Sequence, residues 1–137
     1  MKLKTAVKYD DGKEFPAVSL AGIKDEMWLA HKVMHDVLRE HGYETKITAG
    51  TEVARCDEHI DGHGDRCVSS IHSDTSAHPW GYAIDYSRKA IKTELEAVQI
   101  QVEVQRRLDN IKEGYQVILH RSHFHVEYDR RLKEGLK

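Results

Sequence analysis

The sequence lacks long apolar runs, and neither sign of charge is gathered into one segment. No stretch is apolar enough to predict a membrane span, and charged residues follow the start of the chain too soon for the hydrophobic region of a signal peptide. The 21 Lys and Arg residues nearly balance the 23 Asp and Glu residues. We therefore expect no nucleic-acid partner, no membrane partner and no signal peptide, which places synthesis in a cytoplasm.

Internal repeats and linkers are also missing. The length of 137 residues suits one hydrophobic core and is too short for two. With 39% hydrophobic and 32% charged residues, the composition is that of an ordinary globular domain. We expect a single domain over residues 1–137, which includes a long polar insertion at residues 56–73 that is rich in Cys and His.

Apolar residues at helical spacing predict two helices. The first covers residues 25–41 and ends before Gly42, which is suited to a C-terminal cap. His31 and His35 are one turn apart on it, and a solvated helix face is favoured over a ligand pair because no third ligand is evident. The second covers residues 91–113, where no Gly or Pro interrupts the pattern of Leu95, Val98, Val102, Gln105, Leu108 and Ile111.

Short alternating segments predict strands at residues 44–51, 82–86, 115–119 and 123–128. A weaker alternation at residues 3–9 indicates either a further strand or an ordered arm. Together with the two helices, these strands predict an α+β domain. We expect a small antiparallel sheet that carries a metal site on one face and is flanked by the helices.

The abundance of histidine points to metal chemistry. The chain has ten His residues, most of them between positions 59 and 125. His78 and Asp85 offer an imidazole and a carboxylate around the start of a predicted strand. On a later strand, His123, His125 and Glu127 share one face because alternate residues of a strand point the same way. A third ligand is therefore expected on that strand, and the alternative is a set of hydrogen-bonded structural histidines.

The two motifs resemble a known zinc-site signature. Ser76-x-His78-x-x-Gly81-x-Ala83-x-Asp85, followed by His123-x-His125, is similar to the pattern of D-alanyl-D-alanine carboxypeptidases, related murein endopeptidases and the hedgehog signalling domain. Residues 115–129 resemble the small phage-encoded members, and residues 47–50 resemble the strand before their substrate-binding loop. The resemblance implies a hedgehog/DD-peptidase-like fold in which His78, Asp85 and His125 bind Zn²⁺.

The residues expected to act in catalysis depart from the usual pattern. Peptidases of this group carry an acidic general base three positions before the last ligand, where this chain has Ser122. The penicillin-insensitive murein endopeptidases resemble the chain in their His-x-x-His-x-His motif, here His120, His123 and His125. We expect His123 to act as base and oxyanion stabiliser, assisted by His120. Glu127 either orients one of the histidines or is a solvent-exposed strand residue.

The insertion contains a second set of candidate ligands. Cys56, His59, His63 and Cys67 lie within twelve residues and could form a structural zinc clip. A disulfide between the two cysteines and two unpaired thiols are the alternatives. About two Zn²⁺ per chain would support the clip, whereas about one, without free thiols, would point to the disulfide.

The resemblance implies a zinc metallopeptidase-like protein that hydrolyses peptide bonds of bacterial peptidoglycan and is phage-encoded. Its partners would be peptidoglycan peptides and, if it is assembled into a particle, virion proteins. It would act after lysis of the host or as a virion component. One alternative is an inactive zinc-binding structural or recognition protein of the same fold, which Ser122 favours. Another is a zinc hydrolase, such as an amidase, with a substrate outside the cell wall.

Overall fold

A computed structural model of the protein describes residues 1–5, 7–8, 14–15, 17–51, 78–129 and 131. The described strands are β1 (Lys2–Leu3), β2 (Val7–Lys8), β3 (Glu14–Phe15), β4 (Lys46–Ala49), β5 (Ala83–Ser87), β6 (Tyr115–Leu119) and β7 (His123–Tyr128). The helices are α1 (Asp25–Glu40) and α2 (Glu94–Ile111), and a short 3₁₀ turn spans His78–Trp80. Of these helices, none combines the length and apolar character needed to cross a membrane.

The strands form one five-stranded sheet, in the order β1-β4-β5-β7-β6, and a separate two-stranded sheet of β2 and β3. The prediction of an α+β fold with two main helices is confirmed. The prediction of an antiparallel sheet is wrong at one edge, because β1 pairs with β4 in parallel. Helix α1 lies between β1 and β4 in the chain, and a helical crossover is the usual way to bring a following strand back in the same direction.

Helix α1 forms where the sequence predicted it. Asp25 and Glu26 occupy its first turn, where negative charge is favourable, and its buried face includes Met27, Ala30 and Met34. The helix ends at Glu40 with His41 as its C-cap, and Gly42 follows with a φ of 85°, which is accessible to glycine at little cost. The predicted extent and the cap are therefore confirmed.

Helix α2 is also confirmed, although at Glu94–Ile111 it is shorter at both ends than the predicted 91–113. Its buried side differs from most of the residues whose spacing predicted it. Thr93 caps the N-terminus by accepting a hydrogen bond from the backbone N–H of Glu96. The helix buries Ala97, Ile100, Val104 and Leu108, whereas Leu95, Val98, Val102 and Ile111 are exposed. Two sets of apolar residues have helical spacing here, and packing on the sheet selects one of them.

The core lies between the helices and one face of the sheet. Ile84 and Tyr86 of β5, together with Phe124 and Val126 of β7, are fully buried in the same cluster as the inner faces of α1 and α2. Side chains alternate across a strand, so Asp85 and His125 project from the opposite face. The sheet thus separates a hydrophobic layer from a polar face, where the candidate ligands lie.

Candidate metal centre

Strand pairing brings two of the predicted ligands together. In the antiparallel ladder of β5 and β7, Asp85 lies directly opposite His125, and Ser87 lies opposite His123. The Nδ1 atom of His125 is 2.8 Å from Asp85 Oδ1. The 3₁₀ turn before β5 adds His78, whose Nε2 is 3.2 Å from the same carboxylate oxygen.

His78, Asp85 and His125 therefore form a possible metal-binding triad. One donor atom from each lies within 4.8 Å of the other two. The His78 side chain is nearly fully buried, and the other two are largely buried. Two imidazole nitrogens and one carboxylate oxygen that converge in this way can hold a divalent metal and leave a position open for water or substrate.

In each candidate ligand histidine, the ring nitrogen that does not face Asp85 lies next to a hydrogen-bond acceptor. His78 donates from Nδ1 to the backbone carbonyl of Gly50 over 3.0 Å, which leaves Nε2 to face Asp85. His125 has the reverse arrangement: Nδ1 faces Asp85 and Nε2 is 3.3 Å from Glu127 Oε1. Such partners hold the ring and select the nitrogen that binds a metal. Of the two predicted positions for Glu127, the structure has it beside His125.

The charges of the triad are strongly coupled. Burial alone would raise the pKa of Asp85, but hydrogen bonds from His125 and His78 outweigh it and hold that pKa well below its usual range. Burial opposes the charged form of His125, yet hydrogen bonds to Asp85 and Glu127 raise its pKa to about 9. A proton on His125 thus compensates the carboxylates, and a metal ion would replace that proton on binding.

His123 lies beside the triad. Its Nε2 is 3.6 Å from Asp85 Oδ2, and its Nδ1 shares a 2.7 Å hydrogen bond with the Ser122 hydroxyl. Partial burial lowers its pKa, which favours the neutral ring. The ring centroid of His120 is 4.8 Å from that of His123 and 6.1 Å from that of His125. All residues predicted for catalysis are thus gathered around the triad.

Two contributors to the site were not anticipated from the sequence. The Gly50 carbonyl supports His78, and a backbone group carries no residue-specific signal. Ser122 was interpreted only as the absence of an acid, whereas its hydroxyl holds His123. A hydroxyl next to a candidate base was the available signal for that contact.

Other candidate ligands are placed differently. His31 Nδ1 lies 2.9 Å from the Tyr86 hydroxyl, and His35 Nδ1 lies 2.7 Å from the Thr45 hydroxyl. These rings are half-buried and hydrogen-bonded instead of lying on a solvated helix face. Within the described residues, the triad is the one group of three side chains that could hold a metal. The insertion at 56–73, with Cys56, His59, His63 and Cys67, lies outside the described residues.

No protein-family model, curated protein sequence or solved structure matches the chain. The resemblance of residues 76–86 and 115–129 to zinc peptidase motifs therefore stays a prediction.

Proposed function

We propose that the protein is a zinc-dependent hydrolase that cuts peptide bonds of bacterial peptidoglycan. The observation that carries the proposal is the placement of His123 Nε2 beside three convergent ligand atoms on one face of the sheet. A metal triad alone is compatible with a structural role. A further half-buried imidazole aimed at the same carboxylate adds a group that can exchange protons at the reaction centre.

Zinc fits the donor set best, because two imidazoles and one carboxylate are a common ligand set of catalytic zinc sites. His78 Nε2, an oxygen of Asp85 and His125 Nδ1 would hold it. When bound, zinc supplies a Lewis acid that polarises the scissile carbonyl and lowers the pKa of water to about 7.

The residues of the chain would divide the remaining work. In the tautomer whose Nδ1–H donates to Ser122, neutral His123 has a lone pair on Nε2 and would accept the proton of the attacking water. The same ring then returns that proton to the departing amine. The imidazolium formed between these steps is stabilised by Asp85, 3.6 Å away, and His120 lies close enough to assist.

The peptidoglycan substrate and the phage origin rest on the motif resemblance. The protein would then act after lysis of the host or as a virion component with virion proteins as partners. Ser122 supports a second candidate, an inactive zinc-binding structural or recognition protein, because its hydroxyl is too weak a base to replace a carboxylate. These candidates differ in whether the protein hydrolyses a substrate with the help of His123.

The deciding experiment incubates the zinc-bound protein with purified peptidoglycan and identifies released fragments by mass spectrometry. We expect fragments with new amino and carboxyl ends, and their loss on chelation. His125→Ala should lose both zinc and activity. His123→Ala should keep zinc and lose activity, since it removes the base and leaves all three ligands in place.

Three results would contradict the proposal. A protein that holds zinc at the triad but releases no fragments would favour the structural or recognition role. Full activity of the His123→Ala variant would remove this histidine from the mechanism. Cleavage of an amide outside the cell wall, with peptidoglycan left intact, would favour a different zinc hydrolase.

A further inference from the structure

We propose that residues 19–24, the turn that leads into α1, position the metal centre by holding the two backbone segments that fix His78. This inference rests on the metal-binding part of the proposed function and not on the reaction. The turn contains none of the candidate ligands. Its role is visible only from the contacts that it makes on both sides of His78.

His78 is held by backbone groups from two separate segments. The carbonyl of Gly50, which directly follows β4, accepts a hydrogen bond from His78 Nδ1 over 3.0 Å. The carbonyl of His78 itself accepts from the N–H of Gly81 over 3.0 Å, which closes the 3₁₀ turn. The position of the ring therefore depends on where Gly50 and Gly81 lie.

The turn of residues 19–24 binds both of these segments. On the Gly50 side, the Thr51 backbone N–H donates to the Ser19 carbonyl over 2.8 Å, and the Thr51 hydroxyl donates to the Ala21 carbonyl over 2.6 Å. On the other side, the Lys24 N–H donates to the Gly81 carbonyl over 3.0 Å. One short turn thus connects the acceptor of His78 to the backbone that carries His78.

Both glycines are packed too closely against this turn for any other residue. A Cβ added at Gly50 would overlap with the carbonyl oxygen of Ser19, and one added at Gly81 would overlap with the carbonyl oxygen of Gly22. Gly81 also has a φ of 83°, which disfavours a side chain. Backbone atoms cannot rotate away as a side chain can, so substitution must move the turn, the glycine or both.

Such a movement should lower the affinity of the site for a metal ion. The acceptor on Nδ1 selects the tautomer of His78 and directs Nε2 towards Asp85, and outer partners of this kind typically change metal affinity by about 10- to 100-fold. The Nε2 of His78 is 3.2 Å from Asp85 Oδ1, so a shift of the Gly50 carbonyl would misdirect a ligand that is otherwise unchanged.

The test compares glycine variants by zinc affinity, measured by competition with a chromophoric chelator. Far-UV circular dichroism and thermal unfolding report on the fold of each variant. Gly81→Ala and Gly42→Ala form a matched pair, because both glycines have a positive φ, 83° and 85°, but a Cβ at Gly42 meets nothing within 4 Å. Gly42 follows α1 and makes no contact with His78 in the described hydrogen bonds.

We expect Gly50→Ala and Gly81→Ala to bind zinc about 10- to 100-fold more weakly than the wild type. Gly42→Ala should lower the melting temperature by roughly 3 to 6 °C and leave zinc affinity unchanged. Thr51→Val removes the hydroxyl with its contacts to Ala21 and Ser19 and keeps the backbone N–H bond to the Ser19 carbonyl, so it should fold and lose affinity several-fold. That variant decides the question if the alanine variants do not fold.

Unchanged zinc affinity in the folded Gly50→Ala and Gly81→Ala variants, or in Thr51→Val if they do not fold, would overturn the positioning role. It would leave the proposed function intact. A wild type that binds no zinc would instead remove the metal site and the inference that rests on it. An equal loss of affinity in Gly42→Ala would also contradict the inference, because backbone strain remote from the site would then be enough to weaken zinc binding.

Discussion

The two candidate ligand histidines use different ring nitrogens towards Asp85. His78 presents Nε2 and holds Gly50 with Nδ1, whereas His125 presents Nδ1 and holds Glu127 with Nε2. An imidazole can be neutral and bind a metal through one nitrogen while it donates from the other. The acceptors behind the rings therefore decide which atoms can bind a metal.

Glu127 should contribute to metal affinity through His125. Glu127→Ala removes the carboxylate that lies 3.3 Å from His125 Nε2 and should weaken zinc binding by about 10- to 100-fold. Glu127→Gln keeps an acceptor without the charge, so its loss should be smaller. Glu113→Gln, at an exposed position after α2, is the control, and chelator competition is the measurement. Wild-type affinity in both Glu127 variants would show that this carboxylate does not support metal binding by His125.

The edge strand β6 is covered by side chains of α2. The Val117 N–H donates to Gln105 Oε1 over 2.7 Å, and Gln105 Nε2 donates to the Tyr115 carbonyl over 3.0 Å. Gln101 Nε2 donates to the Val117 carbonyl over 2.9 Å. These backbone groups point away from β7, and an uncovered edge would offer them to another strand. The two glutamines thus take the place of a neighbouring strand.

Gln105→Ala should destabilise the protein by about 1 to 3 kcal/mol, since it removes two hydrogen bonds from partly buried backbone groups. It should also increase association through β6. Chemical denaturation gives the free energy of unfolding, and sedimentation velocity over a range of concentrations gives the association state. Gln99→Ala, at an exposed position of the same helix, is the matched control. Equal stability of the two variants would contradict the covering role.

The candidate metal site and the hydrophobic core lie on opposite faces of the sheet. The core is formed by the two helices and the buried side chains of the strands, whereas Asp85 and His125 project away from it. A fold of this kind has an apolar core that does not include the candidate metal ligands. It differs in this respect from small zinc domains, which unfold without their metal.

Removal of the metal should therefore weaken the fold without abolishing it. With a chelator at 25 °C, the helical circular dichroism signal should persist. Zinc at about a thousand times its dissociation constant adds roughly 4 kcal/mol to the free energy of unfolding. Its removal should therefore lower the melting temperature by more than about 10 °C. His125→Ala should lose most of this dependence on zinc. Loss of the helical signal on chelation would show that the core requires the metal.

The prediction of helices and strands succeeded because periodicity and caps are local properties of the chain. The spacing of Met27, Ala30 and Met34, and the glycine after α1, determine that helix whatever it packs against. The types of candidate ligand were equally readable, since His78, Asp85 and His125 occur in two compact motifs. The extents of β6 and β7 followed from alternation alone.

The remaining features depend on contacts between distant parts of the chain. Packing on the sheet selected which apolar residues of α2 are buried, and the helical crossover made β1 parallel to β4. The register that places Asp85 opposite His125, and the Gly50 carbonyl that directs His78, join segments about 28 to 40 residues apart. By itself, the sequence determined the elements and the candidate ligands. The tertiary structure decided their relative positions, because those positions minimise the free energy of the whole packed domain and not of any one segment.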